Sequence, residues 1–133
     1  MFEFLRKRKP SPGRDGVFAD LRQAAEELKS ADPATRIKVG MAINIVSTAF
    51  AGTFKGPSGF QRISREQQLQ YMAKLKAAQE QARAKQDSAA ALGFGLFNIW
   101  LCALATNDDE LMGQIKPALA VLSREADVVQ SAL

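Results

Sequence analysis

Between Ser88 and Thr106 the chain carries no charged side chain, and Leu92, Phe94, Leu96, Phe97, Ile99, Trp100, Leu101 and Leu104 leave a helix there with almost no polar face. Such a helix must be wrapped by other elements or enter a bilayer. Asp87-Ser88 either caps it or lies inside one longer helix. Gly93 and Gly95 each weaken it by roughly 1 kcal/mol relative to alanine, and they allow a neighbouring helix to come close. Asn98 interrupts the run and needs a hydrogen-bond partner if buried; Asn44 or Ser47 is the expected one.

The rest of the chain supplies amphipathic segments to do the wrapping. Val17, Phe18, Leu21, Ala24, Ala25 and Leu28 recur at helical spacing, with Asp20, Arg22, Glu26, Glu27 and Lys29 off that stripe. This predicts a helix over 16–30. Asp32-Pro33 restarts the chain as an N-cap and first-turn proline. Residues 33–54 are richer in apolar side chains (Ile37, Val39, Met41, Ile43, Ile45, Val46, Phe50, Phe54), which suggests a second central helix. Lys55-Gly56-Pro57-Ser58-Gly59 reads as part of a loop of about eight residues. Ser64 and Gln67 form a capping box for a polar helix over 65–86, whose apolar strip is Tyr71, Met72, Leu75, Ala78 and Ala82.

Asn107-Asp108-Asp109-Glu110 marks the sharpest boundary, with Asn107 as the expected cap and three acids at the positive end of the helix dipole. Leu111, Met112, Ile115, Leu119, Leu122, Ala126, Val129 and Leu133 then hold one stripe about 100° wide. The phase continues across Pro117, which predicts a single helix kinked there. The expected fold is all-α: a compact bundle of four to five helices over 16–133, the second and fourth central, preceded by a flexible basic arm over 1–15. A chain of 133 residues hides roughly two thirds of its unfolded surface, so such a core needs no disulfide or metal.

Charge is unevenly placed. Residues 1–14 hold Arg6, Lys7, Arg8, Lys9 and Arg14 against Glu3 alone, while the remainder is balanced. The basic character belongs to the arm, which argues against a nucleic-acid-binding body. The chain has no histidine and one cysteine. That removes the commonest general base and metal ligand, and makes a zinc site improbable. No phosphate-binding glycine loop or nucleophile elbow is present. No catalytic, cofactor-binding or metal-binding residue is therefore assigned. Cys102, flanked by apolar residues, reads as a small buried hydrophobe.

The expected function is a non-enzymatic protein-binding regulator or adaptor, cytoplasmic because the first residues lack the order of a secretory signal. Homo-oligomerisation is one form such binding takes. One alternative is a protein held at the inner membrane surface, with Phe2, Phe4 and Leu5 entering the interface and Arg6, Lys7, Arg8 and Lys9 meeting anionic headgroups. The same arm residues would serve equally in docking to a partner. The third reading is nonspecific nucleic-acid binding through the basic helix, where Lys74, Lys76, Arg83 and Lys85 would contact phosphates and Tyr71 alone could stack a base. These five residues are also the candidate interface for a partner helix or a second copy.

Overall fold

The computed structural model describes residues 14–132. Within that range it is all-α: α1 (Arg14–Ser30), α2 (Pro33–Phe54), α3 (Pro57–Arg62), α4 (Arg65–Ala84), α5 (Ser88–Thr106) and α6 (Asp109–Ala132), with no strand among the described residues. Six helices replace the expected four to five. The extra one, α3, lies in the stretch read as a loop. Lys55 takes a left-handed conformation (φ 59°) and its N–H closes on the carbonyl of Ala51, which ends α2. Gly56 follows at φ 114°, a value that favours glycine, and Pro57 then opens α3 without wasting an N–H. Phe60 holds this short helix down: it is fully buried, between the rings of Phe50, Phe54 and Tyr71.

α5 is the hub. Ten of its residues are buried, and it packs against α1, α2, α3, α4 and α6. Burying side chains such as Leu96 and Leu101 contributes roughly 1.5–3 kcal/mol each. α2 differs from the expectation of a second centre. It packs on α5 through Val39, Ile43, Val46 and Phe50 and on α6 through Gly40, and its remaining face is left uncovered by the rest of the fold. Its apolar composition exceeds what its burial uses.

The helix boundaries are set by side-chain caps. Asp32 accepts the N–H of Thr35 at 2.8 Å. Ser64 and Gln67 form the reciprocal capping box. Asp87 accepts the N–H of Ala90 at 3.1 Å, so α4 and α5 are separate helices. The boundary at 107–110 needs correction by one residue. Asn107 sits left-handed (φ 53°) as the C-cap of α5, and Asp108 is the side chain that caps α6, accepting the N–H of Leu111 at 3.1 Å. With Asn107 used to stop one helix, the next residue has to start the other. α6 then runs through Pro117 as one helix. α1 is already helical at Arg14, the first described residue, two residues before the expected start.

Candidate partner-binding surface

The helices around α5 leave two openings, one between α1 and α4 and one between α2 and α4. Consecutive residues of a helix point about 100° apart, so Gly93, Phe94 and Gly95 face three directions. A methyl group on Gly93 would stand 2.9 Å from the Val39 carbonyl oxygen and from Ala42 Cβ, so this side meets α2. A methyl on Gly95 would stand 2.6 Å from Nε2 of Gln79, so that side meets α4. Phe94 projects between the two and is only partly buried. α2 and α4 both pack on α5 and have no extensive interface with each other. Further along α5 the gap is closed. Gln61 of α3 donates to the Leu104 carbonyl at 3.3 Å and to Asn107 at 3.1 Å. Beside it the rings of Phe50, Phe54, Phe60 and Tyr71 lie 4.9–6.1 Å apart. What remains is a shallow apolar furrow, or channel, between α2 and α4, with the partly exposed Phe94 at its floor.

The α2 bank of this channel is apolar. Ile45 is 68% exposed, the most exposed large hydrophobic side chain among the described residues. It sits three positions from Ala42, about 60° around the helix, on the flank away from α6. The opposite flank is tied to α6: Asn44 donates to Asp127 at 3.0 Å, and the Ser123 hydroxyl donates to Asn44 Oδ1 at 2.5 Å. No charged residue occurs between Lys38 and Lys55. The other exposed apolar side chains lack this setting: Leu69 stands near Arg65 and Glu66, and Val121, Val128 and Val129 are interspersed with Arg124, Glu125 and Asp127.

The α4 bank is basic, but only in part. Lys76 and Arg83 line a cleft against α1, whereas Lys74 and Lys85 lie about 160° around the helix from them, on the flank towards α2. The basic surface expected of this helix is therefore divided between two sides. Tyr71 belongs to neither as a free ring. It is half-buried against Phe50, Phe54 and Phe60, and burial pushes its phenol above the ordinary value. A stacking platform beside four cations, as the nucleic-acid reading required, is not what the helix presents.

Charge divides the molecule as well. Residues 33–86 carry nine basic and two acidic side chains; the other described residues carry five basic and eleven acidic ones. α1 and the start of α6 account for most of the acids. There Arg14 donates to Asp108 at 2.8 Å and to Glu110 at 2.5 Å, with its guanidinium 4.9 Å from the Phe18 ring centroid. The hydrogen bond from Arg14, and then that from the Leu111 N–H, hold the Asp108 carboxyl below the usual carboxylate range.

The cleft between α1 and α4 has a volume of about 230 Å³, with Asp20 and Glu27 on one wall, Lys76 and Arg83 on the other, and Ile99 and Cys102 in its floor. Burial, with the Asp20 charge adding to it, raises the Cys102 thiol above its ordinary value. Asn98 also faces α4 rather than α2. Its Nδ2 donates to the Met72 carbonyl at 3.4 Å and its Oδ1 is buried without a partner. The expected pairing with Asn44 or Ser47 fails because the Asn98 side of α5 is the one that meets α4. No group of three acidic or cysteine side chains is arranged for a metal ion among the described residues.

The arm residues Phe2, Phe4, Leu5, Arg6, Lys7, Arg8 and Lys9 lie outside the described residues. Of the interface candidates, Lys74 and Lys85 border the channel; Lys76 and Arg83 do not. Sequence reasoning missed Lys38, Ile45 and Phe94. The charge-free run from Val39 to Phe54 is the available signal, but composition alone does not distinguish such a run from core. No family model, curated protein or solved structure matches the chain.

Proposed function

We propose that this chain is a non-enzymatic protein-binding adaptor or regulator, and that its contact surface is the channel between α2 and α4. The exposure of Ile45 in the middle of sixteen uncharged residues carries this reading. An isolated surface isoleucine needs no explanation, but one placed beside a partly exposed Phe94 and a charge-free helix flank makes an apolar patch with a basic rim. Such patches are where proteins bind one another. Cytoplasmic placement belongs to the same proposal; any self-association would use another face. α6 acts as support for α2 and takes no part in the surface.

The test is affinity purification of the tagged chain from its own host, with and without nuclease, using the parent and Ile45→Asp as baits. A stoichiometric protein that survives nuclease and is lost with Ile45→Asp supports the proposal. Capture of no specific protein by either bait sinks the adaptor reading.

A peripheral-membrane role is the second reading. α2 and α5 are each long and apolar enough to cross a membrane by length and composition, and only 33% of the most apolar α2 window is buried. Anionic vesicles that sediment the full chain, but not a chain lacking residues 1–9, would favour it. Nucleic-acid binding has less support, since the basic residues of α4 face two ways and Tyr71 is held in the aromatic cluster.

A further inference from the structure

We propose that the channel over Phe94 seats one amphipathic α-helix of a partner protein, with an apolar stripe and acidic flanks, laid lengthwise between α2 and α4. This rests on the adaptor reading and goes further by naming the chemistry of the occupant.

Three observations select it. The first is shape. α2 and α4 both pack on α5 without an extensive interface with each other, and over the N-terminal half of α5 Phe94 stays partly exposed between them. A helix is about 10 Å across and packs at 8–10 Å from its neighbours. Placed over Phe94, it would touch α2, α5 and α4 together. The second is apolar chemistry. Ile45 on one bank, Phe94 in the floor and Ala78 on the other bank offer contacts to residues spaced three and four apart, as helix-in-groove recognition uses. The third is charge. Lys38, Lys74 and Lys85 rim the channel. Of the nearby acids, Glu80 lines the cleft against α1, Glu66 lies in the first turn of α4, and Asp87 is engaged as the cap of α5, accepting the N–H of Ala90. An occupant with glutamates or aspartates flanking its stripe is attracted, and a basic one is repelled.

The same geometry disfavours a bilayer as the occupant. Phe94 is recessed between two helices, so a flat surface would meet the ridges of α2 and α4 first and leave the floor untouched. On a second copy of this chain the stripe of α1 is packed on α5 through Ala24, Val17 and Leu21, and the exposed valines of α6 are interspersed with Arg124 as well as Glu125 and Asp127 rather than forming a stripe between acids.

The full chain, labelled with nitrogen-15, would be titrated with a synthetic helical peptide of about 18 residues carrying leucines at one helical stripe and glutamates beside it. The same peptide with lysines in place of the glutamates is the control, and vesicles containing phosphatidylserine form a third arm. The expected result is movement of the amide signals of Lys38, Ile45, Phe94 and Ala78 with the acidic peptide, and binding at least about tenfold weaker with the basic one. Ile45→Asp, a change at an exposed position checked for folding by circular dichroism, should weaken the acidic peptide by about tenfold, and the pair Lys74→Glu and Lys85→Glu by a similar factor. Unmoved channel signals, or signals that move on α6 or in the α1 cleft instead, overturn the proposal. So does Ile45-dependent vesicle binding without a peptide response. If the host partner is captured equally by the parent and Ile45→Asp, the channel is wrong while the adaptor reading survives. If no partner is captured, the adaptor reading itself has failed.

Discussion

The Cα of Gly40 lies directly beneath the carbonyl oxygen of Leu122, so close that a methyl group on Gly40 would collide with that carbonyl and also reach 3.0 Å from Ala126 Cβ. α2 and α6 cross at this point. The absence of a side chain lets one backbone approach the other, and the crossing is flanked by the Asn44–Ser123 hydrogen bond and the Arg36–Glu125 ion pair at 3.3 Å. Gly40→Ala should therefore destabilise the fold by about 1–3 kcal/mol, because the clash is with backbone that cannot rotate away. The opposite outcome is expected at Gly113, also helical, where a methyl meets nothing within 4 Å. Gly113→Ala should stabilise by about 0.4–1 kcal/mol. Urea denaturation of the two variants side by side checks both signs.

Phe60 should be the most costly single truncation in the short α3. It is completely buried, and its ring lies 5.6 Å from that of Phe50 and 5.2 Å from that of Phe54. Phe60→Ala leaves a cavity that the six-residue α3 cannot fill by itself, and a loss of about 3–5 kcal/mol is expected. Trp100, the only tryptophan, has its ring 5.4 Å from Phe50. Its fluorescence should report the loosened cluster in the folded variant and supply the unfolding signal.

Much of this fold was legible because caps and stripes are local. Asp32 and Ser64 act where their sequence context put them, and the stripe of Leu111, Ile115, Leu119 and Leu122 is buried as its spacing required. The failures have a common physical cause. Apolarity says that a residue prefers burial, but it does not say whether the fold has a neighbour to bury it. α5 and α2 look alike by composition; α5 is enclosed by five helices, whereas α2 is left with Ile45 exposed. Asn98 was assigned to the wrong neighbour for a similar reason, since periodicity fixes which residues share a face and not which helix that face meets. α3 escaped notice because six residues are too few for a hydrophobic period to show. The channel over Phe94 was likewise hidden, because it depends on α2 and α4 standing apart.

Acid should loosen the molecule first at the α1–α6 junction. Asp108 is held below the ordinary carboxylate range by Arg14 and by the Leu111 N–H, and Asp32 by its hydrogen bonds with Thr35. A carboxyl whose folded value is depressed stabilises the fold above its unfolded value, near 4. That contribution is lost as the pH falls through the lower, folded value. The stability of the parent should therefore be flat from neutral pH to about 5 and decline below about 4. Asp108→Asn should start lower at neutral pH and decline less steeply. Because Arg14 is more than half exposed, 1 M salt should shrink the difference between the two proteins at neutral pH. Thermal melts across pH, with and without salt, read both effects; identical slopes would remove Asp108 from the account.

Asn98 offers a gain rather than a loss. Its Oδ1 is buried without a partner, and its only hydrogen bond, 3.4 Å to the Met72 carbonyl, is long. An unsatisfied buried carbonyl costs about 1–3 kcal/mol, and replacing it with an apolar side chain of similar size removes that cost. Met72 lies inside α4, so its carbonyl keeps an acceptor role in the helix ladder and loses little. Asn98→Leu should therefore raise the denaturation midpoint, by about 1 kcal/mol in free energy. Since Asn98 also borders the cleft between α1 and α4, the same variant separates two roles. Higher stability with unchanged partner capture makes Asn98 a tolerated defect of the α4–α5 contact. Higher stability with capture abolished would move the binding surface from the channel over Phe94 to the cleft beside Cys102.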